Sequence, residues 1–212
     1  KKTVTVKANW KTCLDAFMEV YHAPTIHKDT VNILLDGNAM AAGLLKNGHS
    51  RMVTPKKMNL DGGFLGAEEA DYVPYIETCD KIHAQTNVAY GMFPNFITPT
   101  DTSGYPAILF WPKGLKETEF EWTQLAPKWS GEEKPDYWNE QEISFDSIMD
   151  EDFQNLEPMQ RSHDSGVFES MPLNYQERRI YYYHQVIDDW IGRENLPQNI
   201  QVPNVLDPFI EA

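Results

Sequence analysis

The order of the hydrophobic patterns constrains the fold most. Residues 86–98, 107–111 and 119–125 are rich in β-branched and aromatic side chains, which fit a pleated, half-buried surface. The stretches between them carry Pro99, Gly104, Pro106, Pro112 and Gly114, residues that favour turns. This block predicts an antiparallel meander. Beyond it the pattern turns helical. One helix is expected over 138–148, a second over 150–161, and a long closing helix over 175–191, after a loop at 166–172. Strands first and long helices last predict an α+β fold, with helices packed on one face of an antiparallel sheet.

The first third supplies the remaining elements. Residues 3–7 alternate and read as a strand. Asn9 caps a helix expected over 10–22, with Trp10, Cys13, Leu14, Phe17 and Tyr21 spaced along one face. Pro24 disfavours helix at Ala23. A short helix follows over 29–35, closed by Asp36-Gly37, and then a strand over 50–60. Asp61-Gly62-Gly63 is a turn, and helical or irregular chain runs to about His83. The tail from Pro197 carries three prolines and reads as extended.

Charge and cysteine usage remove several function classes. There are 32 acidic against 18 basic residues, net −14, the wrong sign for a nucleic-acid binder or for attraction to an anionic membrane. No apolar run approaches the roughly 20 residues a membrane helix needs. Cys13 and Cys79 alone cannot build a disulfide framework, and their sparsity suits a reducing, cytoplasmic setting. The start, Lys1-Lys2-Thr3-Val4, lacks an initiator Met and an apolar signal core. It reads as a strand entered mid-chain, so an upstream segment is expected.

The chemistry lies in the segment running from Asn9-Trp10-Lys11 to Glu19-Val20-Tyr21-His22-Ala23-Pro24-Thr25-Ile26-His27. On an uninterrupted helix, His22 and His27 would be rotated by about 140° and could not share an ion. Pro24 between them is expected to break the helix and let His27 swing back. Two imidazoles could then meet one metal at about 2.1 Å. A third ligand must come from elsewhere, and the acidic stretch Asp150-Glu151-Asp152 is the candidate. Two His and one carboxylate on one face of an octahedron leave the other face open, which suits Fe(II) that must meet O₂.

These residues resemble a known family. Asn9-Trp10-Lys11 followed by Glu19-x-Tyr21-His22-x-Pro24-x-x-His27 is similar to the catalytic domain of Rieske non-haem iron ring-hydroxylating oxygenase alpha subunits. Phe93-Pro94-Asn95 resembles part of the family's central strand. Glu151-Asp152 with Glu157 and Gln160 resembles a ligand-bearing helix, and residues 181–190 resemble the closing helix. The resemblance covers nearly the whole chain and implies a helix-grip fold, with residues 1–212 forming a single catalytic domain. By the same resemblance His22, His27 and Asp152 would be the iron ligands. Asp150 and Glu151 are the rivals for the third place, since carboxylates also favour helix starts for purely structural reasons. Glu19 falls where the family keeps a carboxylate between the iron and a neighbouring subunit's Rieske cluster. Three residues before His22, it is also placed to accept a hydrogen bond from the outer imidazole nitrogen.

A Rieske [2Fe-2S] cluster needs two Cys and two His. Neither Cys13 nor Cys79 has a His two or three residues further on, so the cluster is expected in a domain absent from this chain. The resemblance further implies a ferredoxin or reductase donor using NADH or NADPH. It implies a small aromatic or otherwise apolar substrate, hydroxylated or dihydroxylated with O₂, and a homo-oligomer, a trimer. Two other classes compete: a helix-grip ligand-binding module without redox chemistry, and a metal-dependent hydrolase using the same three residues. His49, His83, His163 and His184 have no partner pattern and are expected in structural or surface roles.

Overall fold

The computed structural model describes residues 1–57, 76, 78–102, 104–168 and 170–211. The strand and turn expected beyond residue 57 fall outside the described residues. Among those described, eight strands form one sheet in the order β1-β7-β6-β5-β4-β3-β2-β8. They are β1 (Lys2–Val6), β2 (Ala41–Leu45), β3 (Ser50–Pro55), β4 (Thr86–Met92), β5 (Phe96–Thr100), β6 (Tyr105–Gly114), β7 (Glu117–Leu125) and β8 (Ile210–Glu211). All neighbours are antiparallel except β2 and β8, which run parallel. The helices are α1 (Trp10–Asp15), α2 (Val31–Leu34), α3 (Lys81–Gln85), α4 (Asp136–Asp164) and α5 (Arg178–Ile191).

Period-two alternation places the core. Ile108 and Phe110 on β6, Phe120 and Trp122 on β7, and Ile97 on β5 are buried in one cluster. Cys13 and Leu14 of α1, Met149 and Leu156 of α4, and Ile180, Tyr183 and Ile187 of α5 join the same cluster. The three helices therefore share one face of the sheet, as expected for α+β packing. Phe120 is the aromatic hub, with ring centroids 4.8 Å from Phe110 and 4.9 Å from Phe153 in edge-on geometry. That arrangement suits the aromatic quadrupole as well as burial.

Several boundaries differ from those expected. The meander gains a strand, because Phe93-Pro94-Asn95 turns the chain between β4 and β5 instead of lying within one strand. The Phe93–Pro94 bond is cis. Tyr183 donates its hydroxyl to the Pro94 carbonyl at 2.7 Å, and Asn95 donates its amide to Phe110 O at 3.1 Å. The two helices expected over 138–161 are one helix of 29 residues. Pro158 lies inside it without ending it. Strand β2 carries no β-branched residue and was not expected. The tail adds β8 instead of only trailing over the surface.

Asp15 ends α1 and takes His184 of α5, whose Nε2 lies 2.9 and 3.0 Å from the two carboxylate oxygens. Burial pushes the His184 pKa down, but the charge and hydrogen bond of Asp15 leave it raised. With the folded value raised, the pair's contribution is complete below the unfolded His value of about 6.5. It is lost as the pH rises through the folded value. Asp15→Asn should therefore cost about 1–3 kcal/mol at pH 6 and clearly less at pH 9 in urea unfolding; equal losses at both pH values would contradict the ion pair. Phe120→Ala, at a side chain 0% exposed, should cost about 3–5 kcal/mol, and a loss below about 1 kcal/mol would show that Phe120 is not the hub.

Candidate metal centre

Local structure around the two histidines departs from the expected helix. Helix α1 stops at Asp15, and the chain leaves it through tighter bonds from Phe17 N to Leu14 O and Met18 N to Asp15 O. Phe17 still packs on Phe110 and Phe120, at centroid distances of 5.4 and 5.8 Å. Its place in the apolar pattern therefore held without a helix beneath it. Glu19 consequently does not lie on a helix face with His22. It acts from the irregular chain, where its carboxylate accepts from the backbone of Tyr21 and of His22. Its other oxygen meets His22 Nδ1.

Residues 22–27 then wind back, with Ile26 N bonded to His22 O at 2.9 Å and His27 N to Ala23 O at 3.1 Å. Pro24 is not the break that was expected. It sits in the first turn of this winding, where a missing N–H costs little. The two imidazoles nevertheless converge, with ring centroids 5.0 Å apart.

The third group arrives from α4. Asp152 Oδ1 lies 3.1 Å from His27 Nε2 and 3.6 Å from His22 Nε2. Ligand-type atoms of His22, His27 and Asp152 all lie within 4.8 Å of one another. Glu151, a rival on sequence grounds, points to the other side of the ring. It receives His27 Nδ1 at 2.6 Å and the Thr30 hydroxyl at 2.7 Å, while Asp150 is exposed. Each imidazole thus has its outer nitrogen against a carboxylate, Glu19 for His22 and Glu151 for His27. A proton held on each Nδ1 leaves both Nε2 lone pairs facing Asp152. Two nitrogens and one carboxylate oxygen, all on one side, fit a first-row divalent ion.

Electrostatics agree with a packed, polar cluster. Burial pushes the His27 pKa down, but Asp152 and Glu151 together hold it above the ordinary value. Burial raises that of Glu151, but the His27 and Thr30 hydrogen bonds leave it below the usual carboxylate range. The supports come from distant parts of the chain. Gln160 on α4 accepts from Asn9 N at 2.8 Å, and Glu157 accepts from Lys7 N at 3.3 Å, so this acidic motif fixes α4 against the β1–α1 junction. Asn9 caps α1 by accepting from Lys11 N.

Arg179, which sequence reasoning missed, is 0% exposed. It donates to Met18 O at 2.9 Å and to Ser50 Oγ at 3.0 Å, with no acidic partner among the described residues. Burial lowers its pKa to about 9, still well above neutrality. It pins the residue before Glu19 to the sheet. Gly91 makes room, since a Cβ there would lie 3.0 Å from the Arg179 Nη2. No local pattern around Arg179 distinguishes it from the neighbouring Arg178. Of the remaining histidines, His184 pairs with Asp15, and His49 Nδ1 accepts from Phe93 N at 3.0 Å.

A cavity of about 420 Å³ opens beside the cluster, lined by Glu19, His22, His27 and Asp152 at one place and elsewhere mostly by apolar side chains, including Phe17, Leu34, Ile97, Ile108 and Trp138. This volume is in the range of small-molecule sites. Among the described residues no helix is long and apolar enough to cross a membrane.

The family described as ring hydroxylating alpha subunit (catalytic domain) matches residues 1–193. No curated protein matches by sequence. Among solved structures, the chain is similar to a quaternary ammonium Rieske monooxygenase described for carnitine oxidation by gut microbiota. That likeness has 15% identity, covers 90% of this chain and 49% of the other, and has a TM-score of 0.67. It is also similar to naphthalene 1,2-dioxygenase from Rhodococcus sp. bound to indole, with 16% identity, 90% and 54% coverage and a TM-score of 0.58. Dicamba monooxygenase bound to dicamba matches at 10% identity, 88% and 56% coverage and a TM-score of 0.54. At such identities the likeness speaks to the fold. The chain spans about half the length of the first of these proteins.

Proposed function

The chain belongs to the family of ring-hydroxylating alpha subunits, as their catalytic domain, and from that premise we propose that it hydroxylates or dihydroxylates an apolar substrate with O₂ at a single Fe(II). His22, His27 and Asp152 would hold the ion. The observation that carries the reading is the convergence of both Nε2 atoms and one Asp152 oxygen beside an apolar cavity. A ligand-binding module without redox chemistry would have no use for two imidazoles whose outer nitrogens are both held by carboxylates.

What a ferrous ion supplies when bound is the one-electron chemistry that lets ground-state O₂ react with an unactivated carbon. The chain's own residues do the rest. Glu19 and Glu151 keep the outer imidazole protons in place and fix both rings. Phe17, Ile97, Ile108 and Trp138 exclude water from the substrate. Arg179 holds the backbone that carries Glu19.

Electrons must come from outside this chain. Cys13 is buried, and neither it nor Cys79 has the His neighbours a Rieske site needs. The reading therefore includes a Rieske [2Fe-2S] domain beyond residues 1–212, fed by a ferredoxin or reductase using NADH or NADPH. It also includes delivery near Glu19 from an adjacent subunit of a homo-oligomer, a trimer.

Anaerobic loading with Fe(II), desalting and metal analysis should return about one iron per chain. His22→Ala and Asp152→Ala should lose it with circular dichroism unchanged, and full iron retention in Asp152→Ala would remove that residue from the ligand set. Glu19→Gln in the full-length protein should keep its iron yet lower the turnover supported by a reductase about tenfold or more; unchanged turnover would deny Glu19 a part in the reaction.

A further inference from the structure

The cavity floor extends across the sheet as far as β7. Thr118, Phe120, Trp122 and Gln124 alternate onto the inward face of that strand, and the first three are buried in the core. Gln124 is half-buried and lines the cavity instead. Its cross-strand neighbour, Pro106 of β6, lines the cavity beside it. The opposite end of the floor is formed by β3 and β4. There Met52 and Ala89 pack with Val20 and Ala23 of the segment that carries the histidines. Strands β6 and β5 separate β7 from β4, a distance of about 14 Å at the usual strand spacing. Gln124 therefore sits at the edge of the floor away from the metal segment.

The charged groups on the wall are already engaged. Glu19 meets His22, Asp152 faces both imidazoles, Lys56 lies 2.9 Å from Asp101, and Lys134 pairs with Glu142. An anionic ligand would face four carboxylates, and a cationic one would compete with both lysines for them. The Gln124 amide, by contrast, makes no hydrogen bond among the described residues. A primary amide can both donate and accept, and Pro106 beside it has no N–H to offer. The other amides on the wall are differently placed. Asn87 donates to Thr100 O at 3.2 Å, and Gln141 of α4 is exposed.

We propose that Gln124 hydrogen-bonds an uncharged polar group of the substrate, a hydroxyl, carbonyl or carboxamide, whose apolar body crosses the floor towards His22, His27 and Asp152. Gln124 is then a specificity-determining residue, because a site built to hydrogen-bond a ligand discriminates against the analogue that lacks the group. The inference rests on reading this cavity as the substrate site, and it narrows the substrate to a neutral molecule with one polar end.

The probes are ω-phenylalkanamides of increasing chain length, the matching ω-phenylalkanoates, and the alkylbenzenes that lack any polar group. They are titrated into the iron-loaded chain and followed by fluorescence of Trp129 and Trp138, which line the cavity. The best-bound amide should bind about tenfold or more tighter than its carboxylate. Gln124→Leu should weaken that amide about tenfold while changing the matching alkylbenzene by less than about threefold. Gln124→Asn draws the side-chain amide back by one methylene, so the best-bound chain should become one methylene longer. This second variant carries the test if Gln124→Leu does not fold. Gln141→Leu should leave the amide affinity unchanged.

Amide affinity untouched by Gln124→Leu, or a best chain length untouched by Gln124→Asn, would overturn the proposal. So would a loss that appears in Gln141→Leu instead, or carboxylates that bind tighter than amides. Alkylbenzenes that bind while the Gln124 variants leave the amides unaffected sink only this inference. Absence of binding by every probe sinks the cavity as the substrate site as well. Iron measured on the same samples shows separately whether the metal centre stands.

Discussion

One carboxylate oxygen holds the site together. Asp152 Oδ1 faces both inner imidazole nitrogens from a side chain that is almost fully buried. With a proton on each outer nitrogen, these three acceptors face one another out of water, a cost that a shared cation would offset. Each outer imidazole nitrogen needs an acceptor of its own, met by Glu19 and Glu151. Once these five residues must coincide, the path of residues 16–30 and the position of α4 along the sheet are no longer free.

The rest of the fold can be seen as the apparatus that satisfies this demand. Helix α4 carries Glu151, Asp152, Glu157 and Gln160 on one continuous run of 29 residues. Its core contacts at Met149 and Leu156 lie on either side of the acidic pair, so packing fixes the height at which Asp152 meets the histidines. Gln160 and Glu157 then tie the same helix to the backbone just before α1. On the other side, Arg179 crosses from α5 to Met18 O and Ser50 Oγ. A buried guanidinium with no acid partner among the described residues is expensive, which makes its use as a three-way brace between α5, the sheet and the segment that leads to His22 informative.

The sheet does two jobs with one period. Towards β6 and β7, inward residues are large and aromatic and close the core around Phe120. Towards β3 and β4, inward residues shrink to Ala89 and turn polar at Thr54, Asn87 and Lys56, leaving a cavity where the helices do not reach the sheet. The cavity continues past them to Ile97 of β5, Ile108 of β6 and Gln124 of β7, with Trp138 and Phe145 of α4 facing the sheet, and the cluster of His22, His27 and Asp152 occupies one part of its wall.

What the sequence by itself determined is the class of fold and the two histidines of the cluster, with Asp150, Glu151 and Asp152 as the alternatives for its third member. The meander at 86–125, the closing helix, and the motif from Asn9 to His27 are local patterns, and local patterns survive in one dimension. The limits of that reading lie where tertiary partners overrule local preference. Beyond the end of α1 at Asp15, Glu19 takes up the Tyr21 and His22 amides locally, but Arg179 takes up Met18 O from the far end of the chain, and that claim leaves no local pattern. Pro158 is carried inside α4 because the helix is pinned on both sides of it. Glu151 and Asp152 are chemically alike and adjacent in sequence. Only the angular offset of about 100° between neighbours on a helix sends one to the outer and the other to the inner nitrogen of His27, and the rotation of α4 on the sheet decides which.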